Sequence, residues 1–445
     1  MVERSAQQEL DAIELQEAGR SQSERPPRNE VAEEPPLSKA ILLKLASASF
    51  TFFVAGVNDG SLGALVPYLI RSYEVETNLI SVLFATTFTG WFCAAISNSH
   101  LCQYLDLGAM LLFGALLQTI AHALRCWLPP FALFIVTFWL VSLGQAFQDS
   151  HANSFVATVK AAHRWLGFIH AMYMGGCLVG PFVATGVASA NTPSRWNLFY
   201  TFPLGLGVVN VILVAVAFWD TIALRKNPSH VGSDAEAHST SEHDSRNKGA
   251  MKVIKGTLRL PSVWLLSLFY FFYLGASITA GGWVVEYLVA VRNGALSKMG
   301  YVSAGFSGGG FLGRLLLTEP TTRLGERRML LVYSVVCLGL QLLFWLVPNI
   351  IAASVAVSLL GFFLGPFFAT GVSVGSKLFP PELCSSALAL VFVLGQVGGS
   401  IFPAVTGIIA AHAGVKVLQP MLVGLIVAMG ISWLLVPKPP ALHQE

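Results

Sequence analysis

Long apolar runs dominate this chain and restrict the folds open to it. From Ala40 onward, twelve apolar runs alternate with short polar breaks. A helix needs about 20 predominantly apolar residues to cross a bilayer, and most of these runs exceed that length. Only 11% of the residues are charged, against about 25% in a typical soluble domain. The sequence therefore predicts an all-α membrane protein whose spans are 40–70, 77–98, 107–127, 131–159, 165–190, 196–220, 261–291, 299–318, 329–347, 351–376, 384–412 and 416–436.

A polar segment between the sixth and seventh spans divides the chain into two halves. We predict a disordered cytoplasmic tail at 1–39, an N-terminal six-helix bundle at 40–220, a cytoplasmic linker at 221–260, a C-terminal six-helix bundle at 261–436 and a tail at 437–445. The start of the chain lacks the apolar core of a cleavable signal peptide. With the N-terminus inside, fifteen Lys and Arg residues lie at inner loops and ends and six, Arg125 among them, at outer ones. The positive-inside rule then predicts both termini in the cytoplasm.

The two halves share a faint repeat. Span five carries GGCLVGPFVATG at Gly175–Gly186, and span eleven carries GQVGGSIFPAVTG at Gly395–Gly407. Both are glycine-rich runs followed by proline and ending in Thr-Gly. Duplicated six-helix halves around a central cavity are a known transporter plan, with the solute bound between the halves. The alternative is that Gly and Pro simply allow close helix packing.

Two carboxylates, Asp59 and Asp149, interrupt spans that otherwise hold almost no charge. An ionised carboxylate at bilayer depth costs at least about 2.5 kcal/mol, so it is expected to face a protein interior or an aqueous path. Asp59 lies about 6 Å outward of its helix centre and Asp149 about 6 Å inward, at a rise of 1.5 Å per residue. Desolvation disfavours the charged form of such groups, so both are predicted to bind and release protons. Structural hydrogen bonding between helices is the alternative.

Polar residues in span four recur at helical spacing. Gln145, Asp149 and Asn153 are four residues apart and share one face, which is expected to line a cavity rather than lipid. Gln148 and His151 flank this stripe and, together with Gln145 and Asn153, are candidates for solute contacts. His151 is a candidate to tune Asp149, and a helix-to-helix hydrogen bond is the alternative.

Further candidates for solute contacts lie on neighbouring spans. His170 and Tyr173 in span five follow helical spacing and are predicted to face the same cavity; a structural polar contact is the alternative for His170. Trp91 and Trp283 are candidates to stack on a solute, and core packing or lipid contact is the alternative for each. Asn58 precedes Asp59 and completes the predicted solute site.

The sequence gives little support for a metal site, a cofactor, a nucleic-acid partner or an enzyme. The six cysteines are scattered without metal or redox spacing, and His230, His238 and His243 lie in a low-complexity polar segment, so we predict no metal and no cofactor. A net charge of +3 without a basic run gives no support for a nucleic-acid partner. No nucleophile–base pair, HExxH motif or phosphate-binding loop indicates an enzyme or an ATP-driven pump. A sensor would need a longer cytoplasmic extension.

The apolar part resembles the major facilitator superfamily. More narrowly, it is similar to the fucose-permease-like branch and its fungal members, the bypass-of-stop-codon type permeases. The resemblance rests on GVNDGSLGALVPYL at Gly56–Leu69, on GQAFQDSHANSFVATV at Gly144–Val159, and on glycine-rich stretches in spans five, seven, eight and ten. It implies the major facilitator fold of two pseudo-symmetric six-helix bundles. It also places Asp59 and Asp149 on the family's two acidic positions, which are linked to proton coupling and substrate binding.

The chain departs from the family pattern in places. Fungal relatives often carry an acid where this chain has Ser277 and a Trp where it has Ser307; here an acid stands instead at Glu286. The loop motif between spans two and three is degraded, whereas its counterpart at Gly313–Arg328 is better preserved. Gly313 and Arg314 are therefore expected to belong to the cytoplasmic gate.

These observations predict a proton-coupled secondary transporter that moves a small organic solute by alternating access, and the resemblance favours a sugar-like solute. The alternatives are a proton antiporter that exports a fungal secondary metabolite or drug, and a non-transporting membrane sensor. The expected partners are the solute, protons and the lipid bilayer, with the protein acting as a monomer. The plasma membrane is the default location, and a vacuolar or other endomembrane is the alternative.

Overall fold

The computed structural model of the protein describes residues 38–222, 255–380 and 382–438. Most of the predicted tail at 1–39, most of the predicted linker at 221–260 and residues 439–445 of the predicted C-terminal tail lie outside these ranges. We number the long helices α1 Lys39–Tyr73, α2 Thr77–Leu101, α3 Leu107–Arg125, α4 Phe131–Ala157, α5 Ala162–Ser189, α6 Trp196–Ala217, α7 Pro261–Ala290, α8 Leu296–Leu316, α9 Glu326–Leu346, α10 Ile350–Leu378, α11 Cys384–Ala413 and α12 Leu418–Leu435.

The twelve helices confirm the predicted all-α membrane fold. Each end agrees with the predicted span to within three residues. Eleven of these helices are long and apolar enough to cross a membrane. The exception is α8, which carries six glycines together with Lys298 and Arg314 in 21 residues. Its packing between α5 and α10 nevertheless places it within the bundle as the eighth span.

Local sequence accounts for several helix ends. Pro261 opens α7, where its missing N–H costs no hydrogen bond. The Asn349 side chain caps α10 by accepting hydrogen bonds from the backbone N–H groups of Ile351 at 2.8 Å and Ala352 at 3.0 Å. Gly365–Pro366 separates α10 into the helical segments Ile350–Leu364 and Phe367–Leu378. Gly414 ends α11 with a φ of +77°, a conformation that favours glycine.

The helix contacts repeat with a shift of six helices. The pair α2·α4 corresponds to α8·α10, and α3·α6 corresponds to α9·α12. Contacts between the first six helices and the last six run mainly through α5·α8 and α2·α11, which also correspond to each other. The bundle therefore consists of two pseudo-symmetric halves that meet along four helices.

For orientation, we call the end of the bundle where α1 begins the inner end and the end where α1 finishes the outer end. This follows the direction predicted from the Lys and Arg distribution.

Candidate functional site

Asp59 lies where three helices meet, close to the middle of the 35-residue α1. Its Oδ2 accepts hydrogen bonds from Gln145 Nε2 on α4 at 2.8 Å and from the Tyr173 hydroxyl on α5 at 2.9 Å. Its Oδ1 accepts one from Nδ2 of Asn58 at 2.9 Å. Asp59 is nevertheless exposed. Because Gly63, one turn further along α1, packs against α7, this face of α1 is directed toward the other half.

The polar stripe of α4 continues inward from this contact. Asp149 lies one turn inward of Gln145, and its Oδ1 is buried without a hydrogen-bond partner in the described part of the chain. Asn153 follows after another turn and is half-buried. The structure thus brings Gln145 to Asp59 and places the second acid about 6 Å further along the same helix.

Gln148 has a different role from its neighbours on α4. It is buried, its Oε1 accepts a hydrogen bond from Gln118 Nε2 at 2.7 Å, and its Nε2 donates to the Leu111 carbonyl at 3.0 Å. Both of these partners belong to α3, and Asn210 on α6 donates to the same Oε1 at 3.4 Å. Gln148 therefore joins α4 to its neighbours α3 and α6, whereas the sequence had suggested a solute contact.

His151 and Trp91 lie toward the inner end, where α2 contacts α4. Nε2 of His151 is 3.0 Å from Oδ1 of Asn98 and 3.7 Å from Sγ of Cys102. His151 thus makes a helix-to-helix hydrogen bond, the second of the two expected roles. Trp91 is half-buried and packs against the apolar cluster of Ala94, Met110, Ala146 and Phe147.

His170 lies at an aromatic contact between the two halves. Its ring centroid is 5.2 Å from that of Phe52 on α1 and 5.7 Å from that of Phe368 on α10. The Arg314 guanidinium lies 5.5 Å from the Phe368 ring centroid, and its Nε donates to the Gly365 carbonyl at 3.3 Å. Aromatic rings from both halves and one cation therefore meet inward of Asp59.

Gly313, the other candidate gate residue, lies where α8 touches α10. A Cβ at this position would lie 2.7 Å from the carbonyl carbon of Phe362. The contact joins two helices of the same half, so its direct effect is close packing between them.

Trp283 is fully buried in the outer half of the bundle. Its Nε1 donates to the Pro403 carbonyl on α11 at 2.9 Å, and its ring centroid is 6.1 Å from that of Phe84 on α2. A buried indole needs a partner for its N–H, and the Pro403 carbonyl supplies one. Trp283 thus packs in the contact between the halves, which is the core-packing alternative to the predicted solute contact.

The two halves touch at the outer end, and the contact between α5 and α8 does not continue to the inner end of α5. The Thr77 hydroxyl on α2 donates to the Gly407 carbonyl on α11 at 2.9 Å. On α5, Met174 reaches Gly310 of α8, where a Cβ on Gly310 would lie 3.0 Å from the Met174 methyl carbon. Gly167 is seven residues inward on the same face of α5, yet a Cβ there would meet nothing within 4 Å. The contact that α5 makes with the other half at Met174 is therefore absent at Gly167, and His170, which lies between the two, touches Phe368 of α10.

Sequence reasoning placed Arg125 among the outer-side charges, but the structure buries it. Its exposed fraction is 1%, its Nη1 donates to Asn58 Oδ1 at 3.0 Å, and its Nε donates to the Thr137 hydroxyl at 2.7 Å. His122, one turn before it on α3, is also fully buried, and neither ring nitrogen has a partner among the described residues. The available sequence signal was an arginine at the end of an apolar span, but residue spacing does not show where the arginine side chain points.

The described residues form no candidate metal site. No group of three or more His, Cys, Asp or Glu side chains in the described ranges could hold a metal ion. The six cysteines are free, and two of them, Cys177 and Cys337, are buried.

Comparisons with known proteins agree with this architecture. The sequence matches the family model described as Major Facilitator Superfamily over residues 48–403 and 292–445. It is 28% identical over 434 residues to Bypass of stop codon protein 6 of Saccharomyces cerevisiae, which covers 91% of this chain and 84% of that protein.

Two solved structures share the fold at low sequence identity. A D-xylose-proton symporter superimposes with a TM-score of 0.71 at 11% identity, covering 90% of this chain and 99% of that one. The E. coli fucose:proton symporter superimposes with a TM-score of 0.60 at 16% identity, covering 90% and 100%.

Proposed function

Because the chain belongs to the Major Facilitator Superfamily, whose members are transporters rather than enzymes, we propose that this integral multi-pass membrane protein couples proton movement to the transport of a small organic solute. The observation that carries the proposal is the Asp59 carboxylate, held by donors from α1, α4 and α5 and open toward the other half. Asp59 is the primary proton-binding group, and alternating access exposes it to each side in turn.

Protonation of Asp59 has a direct structural consequence. Its Oδ2 accepts from both Gln145 and Tyr173, so a proton on that oxygen occupies one of the lone pairs that these two donors share. The tyrosine hydroxyl can rotate and accept instead, but the glutamine NH₂ group is only a donor. Protonation therefore weakens the link between α1 and α4, which is a means of transmitting proton binding to helix position.

Asp149 is the second proton-binding group in this proposal. It lies one turn inward of Gln145, and one of its oxygens is buried without a partner in the described ranges. We expect two carboxyl groups on neighbouring helices, α1 and α4, to titrate as an interacting pair. A proton bound at Asp59 can thus be released toward the inner end through Asp149.

A sugar-like solute fits the chemistry of the site. A carboxylate, two amides and a tyrosine hydroxyl offer both donors and acceptors for solute hydroxyl groups. The ring contact of Phe52, His170 and Phe368 offers apolar faces for stacking. The named substrates of the two structural relatives, xylose and fucose, are consistent with this class.

The functional test is a proteoliposome uptake panel with an imposed pH gradient, run in both orientations. We expect uphill accumulation of at least one sugar-like solute when the gradient is present and its loss when a protonophore collapses the gradient. Asp149→Asn should abolish gradient-driven transport while membrane expression stays near that of the parent. Undiminished pH-dependent flux in this variant would refute the coupling role of Asp149.

An antiporter that exports a metabolite or drug is the second candidate. The observation in its favour is the glycine-proline run of α5, where Gly176 and Gly180 pack against the backbone of α1 and Pro181 follows. The same panel separates the two functions, because an antiporter accumulates solute only when the gradient has the opposite direction. We further propose that the monomer is the working unit and the plasma membrane its location.

A further inference from the structure

We propose that Arg125 is a positioning residue for Asp59: through the amide of Asn58 it orients the carboxyl group and supplies the positive charge that allows this acid to release its proton inside the bundle. This inference rests on the proposed proton-coupling role of Asp59 and extends it to a residue on α3.

A continuous chain of hydrogen bonds joins the two groups. Arg125 Nη1 donates to Asn58 Oδ1 at 3.0 Å, and Asn58 Nδ2 donates to Asp59 Oδ1 at 2.9 Å. Arginine is only a donor, so the amide oxygen must face the guanidinium and the NH₂ group must face the carboxylate. Thr137 holds the other side of the fork by accepting from Nε at 2.7 Å. The amide therefore has one orientation that satisfies both neighbours.

Arg125 lacks a direct counter-ion. In the described ranges no carboxylate lies within 4.0 Å of its nitrogens, and Nη2 has no hydrogen-bond partner. Its guanidinium lies 4.0 Å from the Phe138 ring centroid and 5.1 Å from that of Tyr200. Guanidinium groups stay charged in proteins, and an uncompensated buried charge is strongly destabilising. An ionised Asp59, joined through Asn58, compensates this charge, and a protonated Asp59 does not.

The direction of the Arg125 side chain supports a role beyond anchoring. Arg125 is the last residue of α3, at the outer end of the bundle. Long cationic side chains near helix ends normally extend toward the interface, where water solvates the charge. Here the side chain is fully buried and reaches Asn58 near the middle of α1. The fold thus brings a permanent cation next to a site where a carboxyl group must also be able to ionise.

The other ionisable groups around Asp59 do not supply this charge. Asp149 on α4 carries the same sign as Asp59 when ionised, and Tyr173 and Cys177 on α5 have acidic groups that carry no positive charge in either protonation state. Among the groups that interact with Asp59 from α3, α4 and α5, Arg125 is the cation.

The test is an infrared titration of the full-length protein in liposomes without solute. The carboxylic acid band that disappears in Asp59→Asn is assigned to Asp59, and its midpoint is followed against pH. Arg125→Met should move this midpoint upward by about one pH unit or more, the size expected for loss of a buried cation within several ångströms of the acid. Arg125→Lys keeps the charge but not the planar fork, so its shift should be smaller.

Arg292→Met is the matched control. This arginine also lies at the outer end, but it donates to the Phe344 and Trp345 carbonyls at the end of α9 and has no link to Asp59. Its replacement should leave the midpoint unchanged. An unmoved midpoint in Arg125→Met, or an equal shift in Arg292→Met, would overturn the inference.

A second variant covers the case in which Arg125→Met fails to fold. Asn58→Leu keeps the cation and removes the amide bridge, and it should also raise the midpoint; no change there would equally overturn the proposal. The titration is independent of transport. If the expected shifts occur but Asp59→Asn retains proton-driven uptake, the proposed function fails and the inference about Arg125 stands. If Asp59→Asn loses uptake but the midpoint moves in neither Arg125→Met nor Asn58→Leu, the inference about Arg125 fails and the proposed function stands.

Discussion

Replacing Gly63 with alanine should open the outer contact between the two halves. A Cβ on Gly63 would lie 3.0 Å from the carbonyl carbon of Gly281 and 3.3 Å from Cα of Gly282, and it would lie nearer still to the Gly281 oxygen. Carbon atoms pack at about 3.5–4.0 Å, so α7 has to withdraw from α1. Backbone atoms cannot rotate away as a side chain can, and the strain therefore falls on the contact between the halves.

The size of the effect follows from the cost of overpacking. Inserting one methyl group into a closed, well-packed contact costs about 1–3 kcal/mol. Because about 1.4 kcal/mol changes an equilibrium tenfold, the outer-closed state should become disfavoured by a factor of about 5–150. The change acts only on states in which α1 touches α7.

Accessibility of the outer contact provides the assay. Ser81 is buried beside Gly407 in this contact, so a Ser81→Cys reporter should react slowly with a membrane-impermeant maleimide added from outside. Gly63→Ala should raise the labelling rate at least about fivefold, the lower end of this range. Gly205→Ala on α6 is the control, because a Cβ there meets nothing within 4 Å. An unchanged rate in folded Gly63→Ala protein, or an equal rise in the control, would refute the reasoning.

Three smaller changes test other parts of the structure. Tyr173→Phe removes a hydrogen-bond donor to the Asp59 carboxylate. Loss of a hydrogen bond to a charged group costs about 1.5–3 kcal/mol, so coupled uptake should fall about tenfold or more. Tyr273→Phe is the control, because the Tyr273 hydroxyl bonds to a backbone carbonyl, and it should change uptake little. Asn349→Ala removes the α10 cap and should cost about 0.5–2 kcal/mol in a thermal or denaturant unfolding measurement; equal stability of the two proteins would contradict the capping role. The Lys44 ammonium donates a hydrogen bond to the Asp220 carboxylate at 2.7 Å and so lowers the pKa of Asp220 below its ordinary value of 3.8. The pair therefore stabilises the fold at pH values above 3.8, and this stabilisation is lost as the pH falls through the lowered pKa. Lys44→Met should reduce Tm slightly at neutral pH and not at low pH; a Tm difference that grows on acidification would contradict this sign.

The helices were predictable because lipid imposes a simple rule on sequence. Every backbone polar group must be satisfied within a span, so an apolar run of sufficient length specifies a helix with little help from its neighbours. The ends of α4 and α7 illustrate this, since the predicted and observed bounds nearly coincide. The glycine-rich α8 was also found, although it is less apolar than the other spans.

The candidate site was predictable only in part. Helical periodicity placed Gln145, Asp149 and Asn153 on one face, but the tilt between helices decides that Gln145 alone of these bonds to Asp59. Gln148, three residues from Gln145, turns toward α3 instead.

Arg125 shows a second limit of sequence reasoning. Its position in the sequence places it near the outer end of α3, but the direction of a flexible side chain depends on partners that other helices supply. Here those partners are Asn58 on α1 and Thr137 on α4. Trp283 shows the same limit, because its position depends on the Pro403 carbonyl of a distant helix.

The most direct test of the coupling role is solute uptake by Asp59→Asn protein in proteoliposomes, measured with and without an imposed pH gradient. Asparagine keeps the shape and can still accept hydrogen bonds from Gln145 and Tyr173, but it cannot bind and release a proton. We expect downhill solute exchange to persist while uphill accumulation is lost at every gradient. Uphill accumulation at the parent level in this variant would contradict the assignment of Asp59 as the coupling group.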